Sequence, residues 1–197
     1  LAQLADWLRA ARAPLIITSD AGRKAGAAAA LGAFAQRYAV PVVQYRPRYL
    51  CLPTTHEMHC GFDATPLLPE ADLVLVLESD VPWIPDQVAP NAACKVVHLG
   101  VDPLYARYPI RGFRADLAIT GDVIGALAQL DLALQKVDAE FKARIEARRK
   151  TAADFRDACG LTAARMTQAP AAMSAKWVTR CIDDICDANT VLLNEYP

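Results

Sequence analysis

The sequence predicts an α/β domain built as a three-layer, doubly wound and mostly parallel sheet. Three observations carry this reading. Short runs rich in Val, Ile and Leu recur at residues 15–18, 41–45, 73–77, 95–99 and 117–120, too continuous for strands with a wetted face. The runs at 95–99 and 117–120 lead to Asp102 and Asp122, as strands do where they hand over to ligand-facing loops in an open sheet. An Ala-rich stretch of helical period lies between the first two runs, the crossover that parallel neighbours require.

The elements follow in order. Leu1, Leu4, Leu8 and Ala11 place one stripe on a first helix. Ala13 and Pro14 open the first strand, and residues 19–23 turn into a second helix whose stripe is Leu31, Phe34, Ala35 and Tyr38. After the second strand, residues 46–69 are rich in Pro, Arg, Tyr, His and Cys. This is too long for a connector and predicts a surface loop layer near a site or a subunit contact. Run 73–77 is apolar throughout, so helices are expected on both of its faces. Pro82 and Pro85 keep the next segment extended, with Trp83 between them as a packing anchor. Two further strands follow, and Asp122 caps a helix reaching to about Leu134.

Residues 1–135 thus read as the sheet domain and 136–174 as a helical linker. In the linker Phe141, Ile145, Ala152, Phe155 and Cys159 recur at helical spacing before Gly160, and residues 162–174 form an Ala/Pro/Thr connector. Residues 175–197 supply one more helix and a strand over 190–197, the start of a second unit. With a first residue, Leu1, already inside a helical pattern, this predicts a piece of a longer polypeptide.

Lys plus Arg number 21 against 22 Asp plus Glu, a net charge of -1, which gives no general attraction to nucleic acid or anionic membrane. Arg148, Arg149 and Lys150 stand among interleaved acids, which argues against nucleic-acid binding by a helix that reads as a surface or linking helix packing one narrow stripe. Six cysteines without a C-x-x-C pair fit a reducing cytoplasm. No apolar segment approaches the roughly 20 residues of a membrane span.

The turn after the first strand is the natural phosphate or nucleotide contact. Ser19, Gly22 and Arg23 stand where free N–H groups at a helix start attract anions. The turn lacks G-x-G-x-x-G, and Asp20 adds a negative charge that Arg23 and Lys24 partly compensate; a tight structural turn is the other reading. Glu78 and Ser79 border the same crevice. Asp102 and Asp122 stand where an acid accepts hydrogen bonds from a ribose, though a turn and a helix cap explain them equally. His56, His59 and Cys60 lack a fourth metal ligand, and no metal site is expected. Neither a nucleophile triad, nor paired catalytic carboxylates, nor a Walker lysine is present.

Segments 39–43, 53–61, 71–77, 89–92, 96–103 and 121–123, in this order and spacing, resemble the central domain of thiamine diphosphate-dependent enzymes of the acetolactate synthase, pyruvate oxidase and benzoylformate decarboxylase superfamily. The resemblance runs from Leu1 to about Leu134, and residues 175–197 are similar to the start of the pyrophosphate-binding domain of the same enzymes. It implies a Rossmann-like domain within a parent enzyme, a lyase or transferase that forms or cleaves a carbon–carbon bond beside a carbonyl, usually by decarboxylating a 2-oxo acid. Thiamine diphosphate and magnesium belong to that parent. In the family the activating glutamate and the Gly-Asp-Gly with Asn that hold the cofactor lie in the flanking domains, so this chain alone is expected to catalyse nothing. Its implied partners are the parent's other domains, further copies in a homo-oligomer and, for the parent, a small-molecule substrate. Glu195 and Tyr196 match the strand end that approaches the cofactor diphosphate.

Some relatives use the central domain to hold FAD, others ADP or the nucleotide of coenzyme A, and many hold nothing. FAD-holding relatives carry more glycine after the first strand and Gly-x-Arg after the third. Here Glu78 and Asp80 put two carboxylates where a phosphate needs donors, so the resemblance implies a scaffold whose nucleotide site is lost. The alternative is an FAD- or ADP-binding module of flavoprotein or NAD-dependent deacylase type, acting independently of thiamine. The deacylase form needs a four-cysteine zinc unit and the flavoprotein form predicts a yellow protein.

Overall fold

The computed structural model describes residues 1–160 and 172–193. Five strands, β1 (Pro14–Thr18), β2 (Val42–Gln44), β3 (Leu73–Leu77), β4 (Lys95–Gly100) and β5 (Leu117–Thr120), form one sheet in the order β2-β1-β3-β4-β5. Every pairing is parallel. β1, β2 and β3 are buried along their whole length, and β4 apart from Lys95, as expected of apolar runs covered on both faces. β5 is the edge strand and alternates between half-buried and exposed residues.

The helices are α1 (Ala2–Ala10), α2 (Ala27–Tyr38), α3 (Val123–Leu134), α4 (Ala139–Ala158) and α5 (Ala175–Ile185). Helix α3 packs against both α1 and α2. The strand order accounts for this grouping. From β1 the chain crosses one way to β2 through α2, and all later crossovers run the other way; right-handed connections of opposite sense lie on opposite faces. The second face therefore receives the segments before β3, β4 and β5. The two between β3, β4 and β5 contain no helix, because Pro82, Pro85, Pro90, Pro103 and Pro109 interrupt them. The expectation of helices on both faces of β3 is thereby corrected: the third layer is irregular chain. Trp83, buried in that layer, meets Phe113 edge-on at 5.2 Å.

The long segment between β2 and β3 builds the loop layer that its composition suggests. Its residues 58–60 run beside β2, with Val42 N–H donating to Met58 O and Cys60 N–H to Val42 O, both at 2.8 Å. Two compact units divide the chain, Leu1–Phe155 and Arg156–Pro197. In the first, Tyr38 stacks on Phe141 at 6.0 Å, and Phe141 and Ala152 are buried. The residues on the α4 stripe are 141, 145, 148, 152 and 155, and Arg148 is among them, 2% exposed. The narrow packed stripe expected of this helix thus includes Arg148, which the sequence reading did not place on it. In the second unit Ser174 caps α5 by accepting from Trp177 N–H at 3.2 Å. Residues 190–193 form no strand; Glu195, Tyr196 and most of the 162–174 connector lie outside the described residues.

Candidate functional site

The strand order sets the switch point of the sheet between the carboxyl ends of β1 and β3, where sheets of this type bind ligands. Ser19, Asp20, Glu78, Ser79 and Asp80 meet there. The loops are tied to each other rather than splayed. Ser19 and Asp20 N–H groups donate to Glu78 O at 3.4 and 3.0 Å. Buried Ser19 Oγ donates to Tyr45 O at 3.0 Å and stands 2.7 Å from buried Ser79 Oγ. With its proton so committed, Ser19 receives that of Ser79, and both hydroxyl donors are consumed internally.

Gly22 is close to the chain itself. A Cβ at Gly22 would meet the Leu50 carbonyl oxygen at 1.9 Å, so the glycine admits the strap 46–52. That strap delivers Arg48 into the crevice. Its guanidinium spans both loops, with Nη2 at 2.6 Å from Asp20 and 2.9 Å from Asp80, Nε at 2.9 Å from Asp20 and Nη1 at 3.0 Å from Asp80. These hydrogen bonds, Asp20 first, raise the Arg48 pKa against a smaller opposing effect of burial. Burial alone pushes the Asp80 carboxyl up, but donation from Arg48 and from Tyr108 (3.0 Å) outweighs it and holds Asp80 below its ordinary value.

Arg111 adds a second cation, donating from Nε to Asp80 O at 3.0 Å and from Nη2 to Ser79 O at 3.3 Å. The same Nη2 lies 3.2 Å from His98 Nδ1, while His98 Nε2 is 3.0 Å from Arg114 O. Nε2 therefore carries the proton and Nδ1 accepts. Burial lowers the His98 pKa to about 4, so the ring is neutral at physiological pH.

The candidate residues thus part company. Ser19, Gly22 and Ser79 converge at the switch point. Glu78, at a left-handed φ of 47°, sends its carboxylate toward the end of β4, where Oε1 accepts from Val101 N–H at 2.9 Å. Only Gly100 admits it, since a Cβ there would stand 2.9 Å from the Glu78 carboxyl carbon. Asp102 accepts from Ala106 N–H at 3.2 Å in the loop after β4. Asp122 caps α3 through Ile124 and Gly125 N–H groups, and Lys24 pairs with it at 3.3 Å. Arg23 is exposed.

The sequence reading missed Arg48, Tyr108 and Arg111. Of the two carboxylates expected in the crevice, Glu78 turns toward Val101 and Asp80 pairs with Arg48, which it shares with Asp20. The one available signal was the Arg-rich character of residues 46–69, which does not say which arginine reaches which acid.

Among the described residues no group of three His, Cys, Asp or Glu side chains is placed to hold a metal ion. No helix of those residues is long and apolar enough to cross a membrane.

The family model for the thiamine pyrophosphate enzyme central domain matches residues 1–130. Among solved structures, a protein from Mycobacterium smegmatis provisionally assigned as a thiamin diphosphate-dependent enzyme superposes with a TM-score of 0.57 at 23% identity. The match covers 71% of this chain and 28% of that one, and at this identity the likeness is one of fold. No curated protein matches the sequence.

Proposed function

Since the chain belongs to the family of thiamine pyrophosphate enzyme central domains, we propose that it is the non-catalytic scaffold of a larger thiamine diphosphate-dependent decarboxylase or carboligase acting on a 2-oxo acid. In this reading thiamine diphosphate and magnesium are bound by the parent's other domains. The side chains described here do not fit that task, for they offer neither a three-ligand metal set nor an uncommitted donor cluster at the switch point. The sheet domain supplies a rigid body with both faces covered, and its exposed loops supply contacts to neighbouring domains and to further copies in a cytoplasmic homo-oligomer.

The observation that carries the scaffold reading is the Arg48 bridge between Asp20 and Asp80. A dinucleotide phosphate needs free donors and close backbone approach at this place. Instead the Ser19 and Ser79 hydroxyls bond to the protein, the Leu50 carbonyl lies over Gly22, and the guanidinium is occupied on two sides. FAD and ADP therefore do not fit the crevice as it is built.

Calorimetric titration of the chain with FAD, ADP and coenzyme A tests this; no saturable heat is expected from any of them. Micromolar FAD binding, or a yellow purified protein, would replace the scaffold by the independent flavoprotein reading. Carbon dioxide release from a 2-oxo acid by this chain with added thiamine diphosphate and magnesium would overturn its non-catalytic assignment.

A further inference from the structure

Residues 104–111, in the connection from β4 to β5, reach the switch point only through side chains. All but Tyr105 and Arg111 are exposed, Ile110 the most at 90%. Their backbone hydrogen bonds stay within the loop. Tyr105 N–H donates to Asp102 O at 3.1 Å, Tyr108 N–H to Tyr105 O at 2.9 Å, and Ala106 N–H to the Asp102 carboxylate at 3.2 Å. Among the described residues, the hydrogen bonds that tie this segment to the rest of the domain come from two side chains. Tyr108 Oη donates to Asp80 Oδ2 at 3.0 Å. Arg111 donates to Asp80 O at 3.0 Å and to Ser79 O at 3.3 Å, and lies 3.2 Å from His98 Nδ1.

Both roots of the segment are anchored. Val101 N–H donates to Glu78, Pro103 is buried, and Phe113 packs edge-on against buried Trp83. Between the roots Tyr105 holds a left-handed φ of 49°, a conformation that a residue with a side chain adopts when its surroundings impose it. An exposed segment with anchored roots and few outside bonds opens at a lower free energy than the whole domain unfolds.

We propose that residues 104–111 are a lid over the switch point, latched by Tyr108 and Arg111 onto residues 79 and 80. Lifting it parts Arg111 from Ser79, Asp80 and His98 and opens the outer side of the crevice. The Arg48 bridge stays behind, because Arg48 is also held by Asp20 and its own N–H donates to Ser19 O at 3.0 Å. The crevice thus has a fixed filling and a movable cover. This lid is independent of the scaffold reading, since it rests on contacts within the chain.

Trypsin reads the open state, because cleavage at a segment that opens and recloses quickly follows its open population. Cutting of the native chain after Arg107, followed by mass spectrometry, is compared with that of Tyr108→Phe and, separately, Arg111→Met. Loss of the Tyr108 hydrogen bond is expected to speed this cut by about fivefold, and loss of the Arg111 bonds by about tenfold or more. The melting temperature of each variant is expected to stay close to that of the native chain, as it does when opening is local. Unchanged cutting after Arg107 in either variant would overturn the proposal. So would faster cutting matched by an equal loss of global stability, since cleavage would then follow unfolding of the domain.

Discussion

The two ends of this sheet each hold an arginine that no neighbour in sequence announces, and they treat it in opposite ways. At the carboxyl end Arg48 has a half-exposed side chain, 50%, and reaches two carboxylates. At the amino end Arg148 is enclosed and reaches only carbonyl oxygens. The first is a surface network in which one cation is shared by two carboxylates, and such networks add little stability because water already solvates their members. The second is a buried cation that the fold surrounds, and removing it leaves acceptors stranded. The difference teaches that the crevice where this sheet type binds ligands is filled by its own side chains, while the end with no such reputation retains an unmet donor, the buried Arg148 Nε.

The comparison breaks most visibly at Arg148. Replacing it with Met is expected to lower the unfolding free energy by about 3–5 kcal/mol, since three carbonyls lose a charged donor. Urea denaturation checks this, and a loss below about 1 kcal/mol would place Arg148 in the same class as Arg48.

A pH titration sharpens the contrast within the loop layer. His98 is held neutral with its pKa lowered from 6.5 to about 4. Its contribution is fully present above pH 6.5 and is lost as pH falls from there toward 4, because the unfolded ring takes up a proton first. The loss amounts to on the order of 3 kcal/mol, and His98→Gln should flatten the profile across that window. Asp80, whose pKa is depressed from 3.8, acts with the same sign at lower pH, so the two windows separate.

Gly22→Ala comes next. Its new Cβ would meet the Leu50 carbonyl at 1.9 Å, and moving the strap aside is expected to cost roughly 1–3 kcal/mol. A smaller shift in the melting curve would mean the strap is loosely seated. The smallest effect belongs to Arg48→Ala, about 1 kcal/mol or less after solvent screening, together with a rise of the Asp80 pKa that carboxyl chemical shifts can follow. A loss of several kcal/mol there would erase the contrast between the two ends.

Much of the site's position, but little of its state, could be read from residue order. Ser19, Gly22 and Ser79 were traceable because a strand, a small-residue turn and a helix recur in a fixed order, and that order dictates where carboxyl ends converge. The partners were not traceable. Arg48 lies 28 residues from Asp20 and 32 from Asp80, and nothing local distinguishes it from Arg46. Arg148 offered a fainter signal. It falls on the apolar stripe between Ile145 and Ala152, so the helical period placed it inward while its charge argued for solvent, and burial was decided by the carbonyls of α1 and α2.

By itself, then, the sequence determined the sheet, its parallel sense, the helices α1 to α5 and the family to which the domain belongs, because hydrophobic period and turn chemistry are local properties. The tertiary structure alone decided the rest: that proline-rich crossovers make one face a loop layer, that Glu78 turns to β4, and that one arginine is paired with carboxylates while the other is not. Charge pairing depends on distances across the fold, and those distances exist only once remote segments have been packed together.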